Sequence, residues 1–132
     1  HSLNVILYYL KVSNSFLKNN HINIVMPLIN IEYDDKELDK NEVLVLSEAI
    51  QKIVSETTHI EDVFVYANAS QIKVKIAPVE IFVQMSAHKI KDEDKLIKEI
   101  KEGLSNWKKK HSIKYPINLT LIPMKWKVEI GI

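Results

Sequence analysis

Side chains able to do chemistry are few in this sequence, and those that are absent narrow the field first. None of the 132 residues is cysteine, which removes disulfide scaffolds, thiolate zinc sites and cysteine nucleophiles together. All 18 basic residues are lysine, so the chain lacks the planar arginine fork that grips carboxylates and phosphates bidentately. The five histidines, His1, His21, His59, His88 and His111, are scattered and show none of the close spacing of a metal site. His59 and His88 fall in expected loops beside strands, where a solvated ring is the plain expectation. Gly103 and Gly131 are the only glycines, and a glycine-rich phosphate loop is excluded. Glu42, Glu48 and Glu56 fall on the expected solvent side of a helix, and Lys108, Lys109 and Lys110 read as a solvated helix end that suits the helix dipole. No metal and no cofactor are expected.

Composition bounds the remaining choices. Apolar residues make up 46% and charged residues 27% of the chain, the balance of one globular domain able to bury its own core. Eighteen lysines against 17 acidic residues leave a net charge of +1, too little to create a field that draws in nucleic acid. The longest apolar runs, such as Val5–Leu10, are far too short to cross a bilayer. A secretory signal would need a basic start, a longer apolar centre and a small-residue cleavage site. The expectation is a cytoplasmic protein that engages neither nucleic acid nor membrane.

The elements that must position any site begin at Met26. Residues 1–25, with VILYYL followed by SNSFLKNN, read as an N-terminal extension. They are residues upstream of the biological start, appended residues, or an extra strand or helix packed on a domain spanning 26–132. MPLINIEY (Met26–Tyr33) is a strand, and DDKELDKN is a turn with Asp39 or Asn41 capping the next helix. Val43, Leu46, Ile50, Ile53 and Val54 form that helix's apolar stripe. VFVYA (Val63–Ala67) is a strand, and IKVKIA (Ile72–Ala77), alternating apolar residues with lysine, is a weaker edge strand. Pro78 then opens the strand VEIFVQM, and Leu96, Ile97, Ile100, Leu104 and Trp107 make a second helical stripe. INLTLIP (Ile117–Pro123) is the next strand, and Trp126, Val128 and Ile130 alternate with charged residues in a last one.

The pattern repeats with a period of 51 residues, from Pro27 to Pro78. Each unit reads proline, strand, loop, helix, strand. Parallel strands need a helical crossover, so two βαβ units predict a four-stranded mixed sheet with two helices on one face, an α/β (α+β) fold. A sheet covered on one side must hide its other face, and self-association, as a homotrimer, is the expected solution. The terminal WKVEI strand is then free to cross to a neighbour. Trp107 and Trp126 are read as core and interface anchors.

These residues resemble the tautomerase superfamily, which includes 4-oxalocrotonate tautomerase and macrophage migration inhibitory factor. MPLINIEY is similar to the family's opening of Met, Pro and strand. PVEIFVQM and INLTLIPMKWKVEI resemble a small bacterial branch of two-unit members with no assigned activity. The resemblance covers about four-fifths of the chain, Met26 to Ile132, and implies a cofactor-independent isomerase. With Met removed, Pro27 would be a secondary amine that shuttles a proton next to a carbonyl, making Pro27 the catalytic residue the family implies. In the chain as given, Pro27 nitrogen is a tertiary amide without a proton. Its other role is that of a strand-start proline, where a missing N–H is harmless. Family enzymes hold acidic substrates with arginines or a lysine. Lys36-Glu37 and Phe64 stand where arginines are expected, which leaves Lys36 as the substituted charge and Tyr66 as a donor to a substrate carbonyl.

Two functions compete on this basis. The first is keto–enol isomerisation of a small carbonyl acid by Pro27, with Lys36 and Tyr66 orienting the substrate. The second is a non-catalytic, oligomeric small-molecule-binding or interaction module that keeps the fold. A ferredoxin-like regulatory domain is a third reading, but it makes the matched strand-initial prolines a coincidence.

Overall fold

Alternation along four strands builds the molecule's core. In β1 (Leu28–Tyr33) every second residue is buried, namely Ile29, Ile31 and Tyr33, and in β3 (Val79–Ser86) Val79, Ile81, Val83 and Met85 are likewise buried. Successive side chains of a strand point to opposite faces, so these residues line one face and Leu28, Asn30, Glu32, Phe82 and Gln84 line the other. The structure is a computed structural model that describes residues 26–132. The reading of residues 1–25 as an extension lies outside the described residues. Residues 26–126 belong to one compact unit, and residues 127–132 to another.

The sheet order is β2-β1-β3-β4, with β2 at Phe64–Ala69 and β4 at Asn118–Met124. β1 runs parallel to β2, β3 runs parallel to β4, and β1 meets β3 antiparallel at the centre. Each parallel pair is bridged by a 19-residue helix, α1 (Lys40–Thr58) or α2 (Glu93–His111). Two βαβ units therefore make one mixed sheet, as the 51-residue period requires. The first strands of the two units keep that period, Leu28 to Val79, whereas the helices begin 53 and the second strands, Phe64 and Asn118, 54 residues apart. A 3-10 turn at Ala87–Lys89 lengthens the second connection.

Both helices pack on the same face. Val43, Leu46, Ile50 and Val54 of α1 and Ile100 and Leu104 of α2 are buried in one cluster with the inward strand residues, while Ile53, Leu96 and Trp107 pack partly buried against it. Full burial of one such aliphatic side chain contributes about 1.5–3 kcal/mol. Asp39, not Asn41, caps α1. Its Oδ1 accepts from Glu42 N at 2.8 Å, and Glu42 Oε1 accepts from Asp39 N at 3.2 Å, which satisfies two otherwise orphaned donors reciprocally. Asp92 caps α2 by accepting from Lys95 N at 3.0 Å. The helices end at His59 (φ 59°) and Ser112 (φ 53°) in the left-handed region, a position usually given to glycine.

Two expected strands are absent among the described residues. Residues 72–77 form no strand, and Ile72 and Val74 stand 89% and 99% exposed. Residues 125–132 contain neither helix nor strand. Alternation tells which way side chains face, but a strand also needs a ladder partner, and among the described residues 72–77 have none in the sheet.

Candidate functional site

Pro27 sits immediately before β1, its ring fully buried. Its carbonyl accepts from Phe64 N at 3.0 Å, which extends the parallel ladder by one step. Leu28 pairs with Gln84, so the next antiparallel step brings Pro27 level with Met85, itself paired with Pro123 on β4. Pro27 thus stands at an apolar end of the sheet.

Lys36 and Tyr66 lie elsewhere. Tyr66 pairs with Asn30 on the outer face of the sheet and is 53% exposed. Asn30 is three residues along β1 from Pro27, a displacement of about 10 Å at strand rise, and Pro27 and Asn30 face opposite sides. Lys36 is exposed in the turn beyond the far end of β1, its N–H donating to Asp34 Oδ1 at 3.0 Å. The length of β1, about 20 Å, separates it from Pro27. Within one chain the three residues do not converge. His59 and His88 are exposed, and among the described residues no group of three or more metal-ligating side chains occurs. No described helix is long and apolar enough to cross a membrane.

No protein-family model matches the sequence, and no curated protein matches it. Solved structures do. Native Ps01740 superposes with a TM-score of 0.57 at 17% identity, over 78% of this chain and 100% of its own. A 5-carboxymethyl-2-hydroxymuconate delta-isomerase gives 0.57 at 11% identity, over 80% of this chain and 89% of its own. A fused wild-type 4-OT asymmetric trimer gives 0.54 at 12% identity, over 74% and 86% respectively. The fold is tautomerase-like. At these identities the likeness is one of architecture, and residue roles have to be argued from this chain's own chemistry.

Two features of this chain escaped sequence reasoning. The first is an ion cluster at the far end of β1. Lys73 Nζ donates to Asp34 Oδ1 at 2.8 Å and also to Asp35 Oδ1, pinning the loop after β2 to the turn after β1. The Lys73 hydrogen bond, followed by that from Lys36 N–H, holds the Asp34 carboxyl below its ordinary range. The bonds to Asp34 and Asp35 push the Lys73 ammonium upward in return. The alternating pattern around Lys73 had pointed to a solvated edge strand instead.

The second feature is an open cleft of about 680 Å³ between the end of α1 and the start of α2. Ile60, Met85, Ile90 and Leu96 supply its apolar lining, and Lys89 and Lys91 stand among its charged residues. Lysines at 89, 91 and 95 flanking a helix start were the available sequence signal. The cleft itself joins segments too far apart in sequence to be seen there. Outside both features, the hydroxyl of Tyr115 is buried without a hydrogen-bond partner, and burial, then the charge of Glu42, pushes its ionisation upward.

Proposed function

We propose that this chain is a cofactor-independent keto–enol tautomerase of small carbonyl acids that acts as a homotrimer, using the nitrogen of Pro27 as a free amine. The observation that carries this is the fully buried Pro27 at the head of β1 in a tautomerase-like sheet. An ordinary α-amino group titrates near about 7.7–8.0, and an apolar site lowers that value by disfavouring the charged form. The neutral amine then takes a proton from the carbon beside the carbonyl. The electron pair moves onto the carbonyl oxygen as an enolate, and the same proton returns to the alternative atom. Lys36 and Tyr66 orient substrate in this scheme only across a protomer boundary, because one chain holds them apart from Pro27. Self-association is supported by the nearly complete exposure of Ile72 and Val74 and by the two edge strands β2 and β4, whose outer backbone groups have no sheet neighbour among the described residues.

A second reading, the non-catalytic oligomeric binding module, is favoured by the separation of Lys36 and Tyr66 from Pro27. Intact mass and N-terminal sequencing of protein made from its native gene, followed by a phenylpyruvate keto–enol assay, distinguish the two. The tautomerase reading expects a chain starting at Pro27 and a loss of about 10²–10⁴-fold in rate for Pro27→Ala, with circular dichroism unchanged. Retention of residues before Pro27, or equal rates for the two proteins, selects the binding module.

A further inference from the structure

We propose that the open cleft at the C-terminal end of α2 binds a diphosphate group, free or carried by a nucleotide. Ser105, Lys108 and Lys109 of α2 line it together with Ser112, Ile113 and Lys114 beyond the helix, around a volume of about 430 Å³. The start of α2 stands beside Met85, the residue level with Pro27. From there the helix runs 19 residues, about 28 Å at helical rise. The cleft therefore lies a helix length away from the Pro27 end, and the proposal does not depend on the state of the Pro27 nitrogen.

A helix C-terminus ordinarily disfavours an anion through its unpaired carbonyls. Here those carbonyls are occupied. Ser112 N–H donates to Lys109 O at 3.5 Å, and Ile113 N–H donates to Lys108 O at 3.1 Å. His111 Nδ1 lies 3.0 Å from Trp107 O. Lys108 Nζ donates to Tyr115 O at 2.8 Å, which clips the residues after the helix back against its last turns and leaves the ammonium's other N–H donors free. Lys109 and Lys114 have no hydrogen bond or ion pair among the described residues, and the hydroxyls of Ser105 and Ser112 have no hydrogen bond there either.

No carboxylate lines the cleft. The sequence from Gly103 to Met124 contains no acidic residue, and Glu42, whose charge reaches Tyr115, is held in the cap of α1. A solvated helix end describes Lys110, which is outside the lining, but not Lys114. The left-handed turn at Ser112 (φ 53°) brings Lys114 back beside Lys108 and Lys109.

This donor set decides the class of ligand. Lysine binds phosphate oxygens as a compact point charge without a fork, and serine hydroxyls add neutral donors. A diphosphate concentrates several negative charges in a small volume, where the ammonium groups of Lys108, Lys109 and Lys114 can share them. A monocarboxylate on an apolar body neutralises only one of these charges and finds only Ile113 to cover that body.

The probe for the test is inorganic pyrophosphate, titrated into the full chain at low salt and followed by calorimetry and by amide shifts in NMR. The expected result is one saturable site with shifts centred on Lys109, Ser112, Ile113 and Lys114. A Lys109→Ala/Lys114→Ala double variant should weaken binding about tenfold, the sum of two modest exposed-charge contributions, with circular dichroism unchanged. Lys89→Ala/Lys91→Ala, at the other end of α2, should leave binding unchanged. Citrate, whose charge is spread over separate carboxylates, should bind more weakly than pyrophosphate. ADP bound as tightly as pyrophosphate or more tightly assigns the nucleotide form, and weaker ADP assigns the free diphosphate. No saturable binding, shifts centred elsewhere, unchanged affinity in the Lys109/Lys114 variant, an equal loss in the Lys89/Lys91 variant, or citrate bound as tightly as pyrophosphate overturns the proposal.

Discussion

Replacing Gly103 by alanine should destabilise this protein, although the same change in the middle of an exposed helix normally does the reverse. Gly103 lies inside α2, where alanine is favoured over glycine by about 1 kcal/mol. A Cβ built at Gly103, however, lies 2.9 Å from Ile53 Cγ2 and 3.5 Å from Ile53 Cγ1 on the facing helix. Carbon pairs prefer about 3.5–4.0 Å. Ile53 is β-branched within α1, so its χ1 is nearly fixed and the contact is relieved chiefly by moving one helix. Overpacking of this kind costs about 1–3 kcal/mol, and the net loss should be about 1 kcal/mol. At the scale of a 100-residue unit this lowers Tm by about 4–8 °C. The assay is urea denaturation of both proteins at one fixed protein concentration, repeated in an Ile53→Ala background. With both γ-carbons gone, Gly103→Ala should become stabilising, and the double-mutant cycle should return a coupling of about 1–3 kcal/mol. If Gly103→Ala stabilises the wild type, or if Ile53→Ala leaves its effect unchanged, the close helix–helix contact is not what selects glycine here.

Other perturbations probe the cap and the ion cluster. Asp39→Ala removes the acceptor for Glu42 N and breaks the capping box, so the urea midpoint should fall by the equivalent of about 1 kcal/mol with an unchanged slope; a shift within error would show that water replaces the cap at no cost. Lys73→Met tests the tether between loops. Asp34 is held below its ordinary 3.8, so its stabilising contribution is in place above that value and is lost as pH falls through the lower folded value. Lys73 is held above its ordinary 10.5, so its contribution is in place below that value and is lost as pH rises through the higher folded one. The stability gap between wild type and Lys73→Met should therefore be flat from about pH 5 to 9 and narrow at both extremes; a gap that stays constant down to pH 2 would falsify the ion-pair assignment.

The layout of the sheet was legible because local signals and burial agree. The alternation in LINIEY and VEIFVQMS, and the stripes through Leu46 and Ile50 and through Ile100 and Leu104, each name a face, and the faces meet in one core. What stayed hidden depends on partners distant in sequence. IKVKIA and WKVEI alternate as a strand does, but pattern carries no information about which backbone will pair with them. The choice of Asp39 over Asn41 turned on the reciprocal bond to Glu42, a capping-box spacing present in the sequence from the start. Lys89 and Lys91 gain meaning only when Ile60 and Met85 are brought beside them, a consequence of the crossover rather than of any local motif.

The two prolines occupy matched places in the repeat and differ in what their nitrogens can become. Pro27 and Pro78 each stand directly before a central strand, and each uses its carbonyl as an acceptor, from Phe64 N and from Asp34 N, both at 3.0 Å. Pro27 thereby extends the parallel pairing of β1 with β2 and Pro78 the antiparallel pairing of β3 with β1, and a missing N–H is harmless in both. Pro78 is interior to the fold's own chain, so its nitrogen is always an amide. Strand-start placement serves the ladder at both positions, and the buried Pro27 ring at the head of β1 acts as a base only with its nitrogen released as an amine. What would set Pro27 apart is whether its nitrogen is acylated, as an amide, or free, as a secondary amine. Burial lowers the pKa of an amine but does nothing to an amide, so the same apolar environment either prepares a base at neutral pH or merely packs a ring. The deciding measurement for the proposed activity is thus covalent: the mass of the native chain, read before any rate.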